Sequence, residues 1–173
     1  FPFLLITKKS IHTETHSMNT KINLVAFYTI LRKEILRVLR IWVQTIVPPA
    51  ITMTLYFVIF GNLIGSRIGN MEGYTYMQFI APGIIMMSVI TNSYGNVVSS
   101  FFGAKYGGYL DEMLVAPVAN ATIILGHIAG GIIRGLLVGS MVTIIALSFT
   151  DLKLTYPLVT FSIVFLSSMV FAL

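Results

Sequence analysis

Two side chains in the C-terminal half carry chemistry that their apolar surroundings make conspicuous. His127 could ligate a metal or carry a proton, and Arg134, seven residues later near the same helical face, could pair with an anionic group. Neither has the company its chemistry needs. Cysteine is absent, which removes disulfides, zinc thiolates and thiol nucleophiles. No Asp or Glu falls at ligand spacing from His127, so no metal site is expected. No paired carboxylates or Ser–His arrangement occurs in the apolar stretches, so the chain is not expected to be an enzyme. The G-x-x-x-x-G-K-[ST] loop that cradles nucleotide phosphates is missing as well.

A third set of polar groups is regular. Ser88, Asn92, Asn96 and Ser99 recur at intervals of four, four and three, which places them on one face of a helix. Such a stripe should not face lipid. It either bonds to neighbouring helices, at about 0.6 to 2 kcal/mol per contact, or walls a substrate path or dimer seam.

The elements that hold these residues follow from composition. Hydrophobic residues are 56% of 173 positions, charged residues 10%, and the mean hydropathy is +0.88; soluble domains have about 45–50% and roughly 25%. In lipid every backbone polar group must be bonded internally, and continuous apolar runs select helices over a barrel. Four spans are expected: Ile41 to Phe60, Gln78 to Val98, Ile123 to Phe149, and Tyr156 to Leu173. Pro48 and Pro49 should kink the first, Gly61 to Met77 should be a loop, and Asp151 with Lys153 should mark a turn. Gly131, Gly135 and Gly139, with Gly126 and Gly130 offset beside them, predict a face where other helices approach closely. Arg134, inside the third span, carries an insertion penalty of roughly 2.5 to 3.5 kcal/mol. It must snorkel to the nearer surface, pair within the bundle, or meet an anionic substrate group.

Seven of the eleven Lys and Arg lie before residue 41, as Lys8, Lys9, Lys21, Arg32, Lys33, Arg37 and Arg40. With no base-reading motif, this bias argues for a membrane surface over nucleic acid, and it places the N-terminus in the cytoplasm. From Lys21 to Arg40, apolar residues at helical spacing alternate with basic ones, as in an amphipathic helix lying in the headgroup layer. Between the middle spans, Ser99 to Ala121 is too polar and broken to cross. Within it Gly107 to Pro117 reads as a short helix, with Tyr109, Leu110, Met113 and Leu114 on one face and Asp111 and Glu112 beside it. So short a helix needs an external support.

These pieces resemble the permease subunits of the type-2 ABC transporter family. The likeness rests on "LRKEILRVLR" (Leu31 to Arg40), "YMQFIAPGIIMM" (Tyr76 to Met87) and, most specifically, "GYLDEMLVAPVANATIILGHIAGGIIRG" (Gly108 to Gly135). It implies an all-α, polytopic transmembrane helical bundle with an N-terminal amphipathic interface helix and a cytoplasmic coupling helix. The coupling helix would dock on a separate ABC ATPase subunit through Tyr109, Leu110, Asp111, Glu112 and Leu114, with Pro117 ending it. ATP and Mg would be bound by that partner and no cofactor by this chain. The resemblance further implies a homodimer of permeases, multi-pass in the bacterial inner membrane and exporting a substrate that the sequence does not identify. It covers Met18 onward. Residues 1–17 are expected to be an upstream or non-native segment, and 18–173 a truncated permease domain lacking about two of six spans. The competing expectation is a non-transport membrane scaffold whose cytoplasmic helix binds some other partner.

Overall fold

From Phe3 to Arg40 the sequence contains neither glycine nor proline, and the chain forms one helix there, α1 (Pro2–Arg40). Pro2 suits a first helical turn, where its missing N–H costs nothing. The predicted amphipathic helix at Lys21 to Arg40 is therefore the second half of a longer one. The computed structural model describes the backbone of residues 2–68, 70–71, 73–150 and 156–173, and side chains from Thr20 onward except those at 62, 66, 70 and 71. The turn expected at Asp151 and Lys153 lies outside the described residues.

Helix α2 (Trp42–Val58) runs through Pro48 and Pro49 and passes into a π-helical stretch, Ile59–Ile64, before a single turn, α3 (Gly65–Ile68). The segment expected as a loop thus begins as helix. It closes with a small antiparallel hairpin, β1 (Asn70–Met71) and β2 (Tyr74–Thr75), turned by Gly73 at φ 86°. Helix α4 (Tyr76–Tyr106) opens where the Thr75 backbone N–H donates to Gln78 Oε1 at 3.1 Å. It continues well past Val98, because nothing between Ser99 and Tyr106 stops a helix. Gly108, at φ 76°, reverses the chain into α5 (Tyr109–Val115), the short helix expected within Gly107 to Pro117. Helices α6 (Asn120–Phe149) and α7 (Pro157–Ala172) complete an all-α bundle.

By length and composition, two stretches among the described residues can cross a bilayer, Trp42–Gly61 and α6, while α7 is apolar but shorter. Helix α4 is long enough, but its mean hydropathy is lowered by Ser88, Ser93, Asn96 and Ser100. All four are buried inside the bundle, away from the surface that carries exposed Phe79, Met87 and Phe102.

Helix α6 is the hub, packing against α1, α2, α4 and α7. Its glycines form two rows serving different neighbours. Gly126 and Gly130 admit Ile30 and Glu34 of α1. Gly131, Gly135 and Gly139 admit Val97, Ser93 and Val89 of α4. Each missing Cβ is occupied by a partner's side chain, which is how small residues four apart bring helices together. Ser93 Oγ also meets Ser168 Oγ at 2.8 Å, tying α7 into the same groove. Farther along, Met53, Phe57, Ala81, Val138, Val142 and Ala146 form the apolar core, with Phe57 stacked on Phe149 at 6.0 Å.

A Cβ at Gly135 would collide with Ser93 Oγ and lie 2.9 Å from Ser168 Oγ, whereas one at Gly95 meets nothing within 4 Å. Gly135→Ala should therefore destabilise the full-length protein by about 1–3 kcal/mol through overpacking, and Gly95→Ala should not. Thermal unfolding in detergent, followed by size-exclusion fluorescence, reads the difference.

Candidate functional site

Helix α1 meets α6 in a parallel register. Asn23 Oδ1 accepts from the Ala119 backbone N–H at 2.9 Å, Ile30 fills the space at Gly126, and Glu34 fills that at Gly130; the partners in each pair are 96 residues apart. The two helices thus run side by side for about 16 Å, at 1.5 Å per residue. One flank of α1 docks, an adjoining flank with Leu24, Tyr28 and Leu39 stays exposed, and Arg32, Lys33 and Arg40 are exposed as well.

At the end of this seam lies a buried ionic cluster. Glu34, 1% exposed, pairs with Arg37 through Oε2 at 3.0 Å. It accepts from Ser100 Oγ at 2.5 Å and from Asn96 Nδ2 at 3.4 Å. Asn96 is fully buried, and its Oδ1 accepts from Arg37 Nη2 at 2.9 Å and from Arg134 Nη1 at 3.4 Å. Its amide fits only this way round, oxygen toward two cations and nitrogen toward the carboxylate. The carboxylate has the cation and donors that burial of a charge demands. The cluster still carries one excess positive charge, and Arg134 Nε is buried without a hydrogen-bond partner among the described residues.

The sequence-derived residues are distributed around this cluster. Asn96 and Arg134 are in it. Ser88 is buried with its Oγ unpartnered among the described residues, and Asn92 donates to the Ser88 carbonyl at 2.9 Å. Ser99 is exposed and bonds to the Asn96 carbonyl of its own helix at 3.1 Å. Asn92 and Ser99 thus satisfy themselves within α4, and the groups reaching other helices are Ser93, Asn96 and Ser100. His127 stands apart, edge-on to Phe101 at 5.9 Å, with Nδ1 on the Ile123 carbonyl at 2.9 Å. No group of three metal-ligating side chains occurs among the described residues.

Glu34, Ser93, Ser100 and Ser168 escaped the sequence reading, which took Arg37 only as a basic residue of the amphipathic helix. For Glu34 a signal existed: it is the one acid in a basic segment, and at helical spacing it falls between Ile30 and Val38, on the docking face.

Helix α5 lies alongside the α1 seam, its first residue near Lys33 and the segment after it near Asn23. None of its side chains is buried. Leu110 and Met113 are half-buried, while Tyr109, Asp111, Glu112, Leu114 and Pro117 are exposed. Val115 at 88% and Tyr106 at 86% extend the exposed apolar surface. Lys33 Nζ lies 5.8 Å from the Tyr109 ring centroid, and Asn23 holds the segment after α5 at Ala119, so α1 touches the chain at the start of α5 and just beyond its end.

A family model described as "ABC-2 type transporter" matches residues 25–173. Over 129 residues the chain is 64% identical to proteins named "Inner membrane transport permease YadH" from Escherichia coli strain K12 and from Shigella flexneri, covering 75% of this chain and 50% of each relative. The chain thus spans about half the length of the curated relatives it matches. No solved structure matches it significantly.

Removing Arg37 while leaving Glu34 buried should cost about 3 kcal/mol, at the lower end for a broken buried pair because Arg37 is partly solvated. Arg37→Ala is therefore expected to unfold well below the wild type in detergent. Glu34→Gln combined with Arg37→Gln should recover much of the loss, and a double-mutant cycle on the melting temperatures measures the coupling.

Proposed function

The chain belongs to the ABC-2 type transporter family, whose members are membrane-embedded helical proteins, and we propose on that footing that it is the membrane-spanning permease part of an ABC exporter. Substrate movement would be driven by ATP and Mg bound to a separate ATPase subunit, with two permeases forming the path in the bacterial inner membrane. The name carried by its relatives, inner membrane transport permease, supports the membrane and the transport.

Within the structure the supporting observation is α5. A seven-residue helix with no buried side chain has little reason to be ordered by itself, and here α1 holds it with its acids and apolar groups outward. That is the surface a partner subunit would grip. Glu112 and Asp111 would supply charge, and Tyr109, Leu110 and Leu114 would supply apolar contact.

Helix lengths support a cytoplasmic place for α5. At 31 and 30 residues, α4 and α6 are about 45 Å long, some 15 Å more than a ~30 Å hydrocarbon layer. Laid from their far ends, Tyr76 and Phe149, that layer takes up about twenty residues and ends near Asn96 and Gly130. The surplus is the part flanked by α1 and capped by α5. The basic residues of α1 lie on this side, which the positive-inside bias assigns to the cytoplasm, with the N-terminus. Arg134 then roots about 6 Å inside the hydrocarbon and reaches back to Asn96 at its edge. Of Ser88, Asn92, Asn96 and Ser99 on α4 and Arg134 on α6, the two with buried polar atoms left unpartnered among the described residues, Ser88 and Arg134, are the candidates for a translocation path or dimer seam.

Charge reversal, Asp111→Lys with Glu112→Lys in the full-length protein, should weaken ATPase co-purification about tenfold, as for charges at the edge of an interface. Undiminished capture of the ATPase would overturn the docking role. A single cysteine replacing exposed Val115 should react with an impermeant maleimide only after the membrane is opened; labelling in intact cells would place α5 on the wrong side.

A further inference from the structure

Glu34 has a position no simple membrane anchor requires. On α1 it is adjacent to Lys33, which covers Tyr109 of α5, and its own carboxylate reaches Ser100 and Asn96 of α4. Through Asn96 it is one hydrogen bond from Arg134 of α6. We propose that Glu34 is a positioning residue that carries displacement of α5 into the membrane bundle, an inference that rests on the transporter reading above.

Three features suit it to this. First, the link from α5 to Glu34 is stiff. Lys33, which meets α5, and Glu34 are neighbours on the docked stretch of α1, held at Ala119, Gly126 and Gly130, and a Cβ at Gly130 would lie only 2.7 Å from Glu34 Cβ, so the stem of the acid packs directly on the α6 backbone. Second, the link onward is concentrated in one amide. Asn96 holds Glu34 and Arg37 of α1 and Arg134 of α6 at once, so moving α1 relative to α4 disturbs its first two bonds together and frees the oxygen that Arg134 shares. Third, Arg134 is only loosely committed to its present partner. Arg134 Nη1 reaches Asn96 at only 3.4 Å, and its buried Nε has no partner among the described residues, leaving a donor in reserve when the cluster rearranges. A packed polar element with two discrete arrangements is what coupling between distant sites requires.

The test uses the full-length protein with its ATPase in lipid nanodiscs, carrying an environment-sensitive fluorophore on a cysteine at Leu158. That residue is 79% exposed at the start of α7, at the opposite end of the bundle from α5. In the wild type, ATP with Mg should change the fluorescence. Glu34→Gln keeps the volume over Gly130 and removes the charge. Its complex should retain the ATPase and hydrolyse ATP, while the fluorescence change falls about tenfold, within the usual range of coupling between sites. Asn96→Leu should behave alike, and stands alone if Glu34→Gln does not accumulate. Thr91→Ala, exposed on α4 and outside the cluster, should match the wild type. A purely structural role would lower the melting temperature and leave the ATP-dependent change intact. Changes of wild-type size in Glu34→Gln and Asn96→Leu overturn the inference, as does a wild-type complex that holds its ATPase yet shows no change. Failure of the wild type to bind any ATPase would instead overturn the proposed function.

Discussion

A carboxylate buried among helices survives only if cations and donors surround it, and here that one demand ties three helices together. Glu34 needs Arg37 from its own helix and Ser100 and Asn96 from α4. It reaches them only because Gly130 of α6 leaves room for its stem. Apolar packing alone would tolerate small slides of α1 along α6, since one methyl in a groove resembles the next. A charge does not tolerate them, because a shift of one residue would turn the carboxylate toward lipid or into helix backbone.

The membrane class, the helical fold and the glycine-lined contact face were legible because they are properties of single segments. Apolar run length and small-residue spacing do not depend on what lies opposite. The stripe from Ser88 to Ser99 was half legible. Its period was right, but on α4 the side chain one position along, Ser100, crosses to another helix while Ser99 bonds within its own. A change of one position rotates a group by about 100°, which is the difference between contact and exposure. Glu34 was hidden for a related reason. In a basic amphipathic helix an acid passes for part of the polar surface until the neighbour's glycine shows which way it faces. The N-terminal helix was expected to lie on the membrane, and it does keep an exposed apolar flank beside its basic residues. Its docking along α6 depends on Gly126 and Gly130, 96 residues further along the chain than the side chains they admit.

Arg134 illustrates how an expensive residue is accommodated. The sequence left open a snorkelling side chain, a pairing role, or a substrate contact. The structure shows pairing within the bundle: the guanidinium is met by an amide that a glutamate and a second arginine already orient. Two cations can share one Asn oxygen because Glu34 offsets part of their repulsion.

The glycine rows of α6 also bear on biosynthesis. Chains emerge from the ribosome N-terminus first, so α1 and α4, whose side chains fill those rows, already exist when α6 is made. The helix therefore enters the membrane with its grooves' occupants waiting, and its bare backbone need not spend time against acyl chains. Glu34, by contrast, must wait for Gly130. Until then the amphipathic character of α1 lets it rest at the water boundary with the acid hydrated, and burial of the charge becomes the closing event in assembly of this half of the bundle.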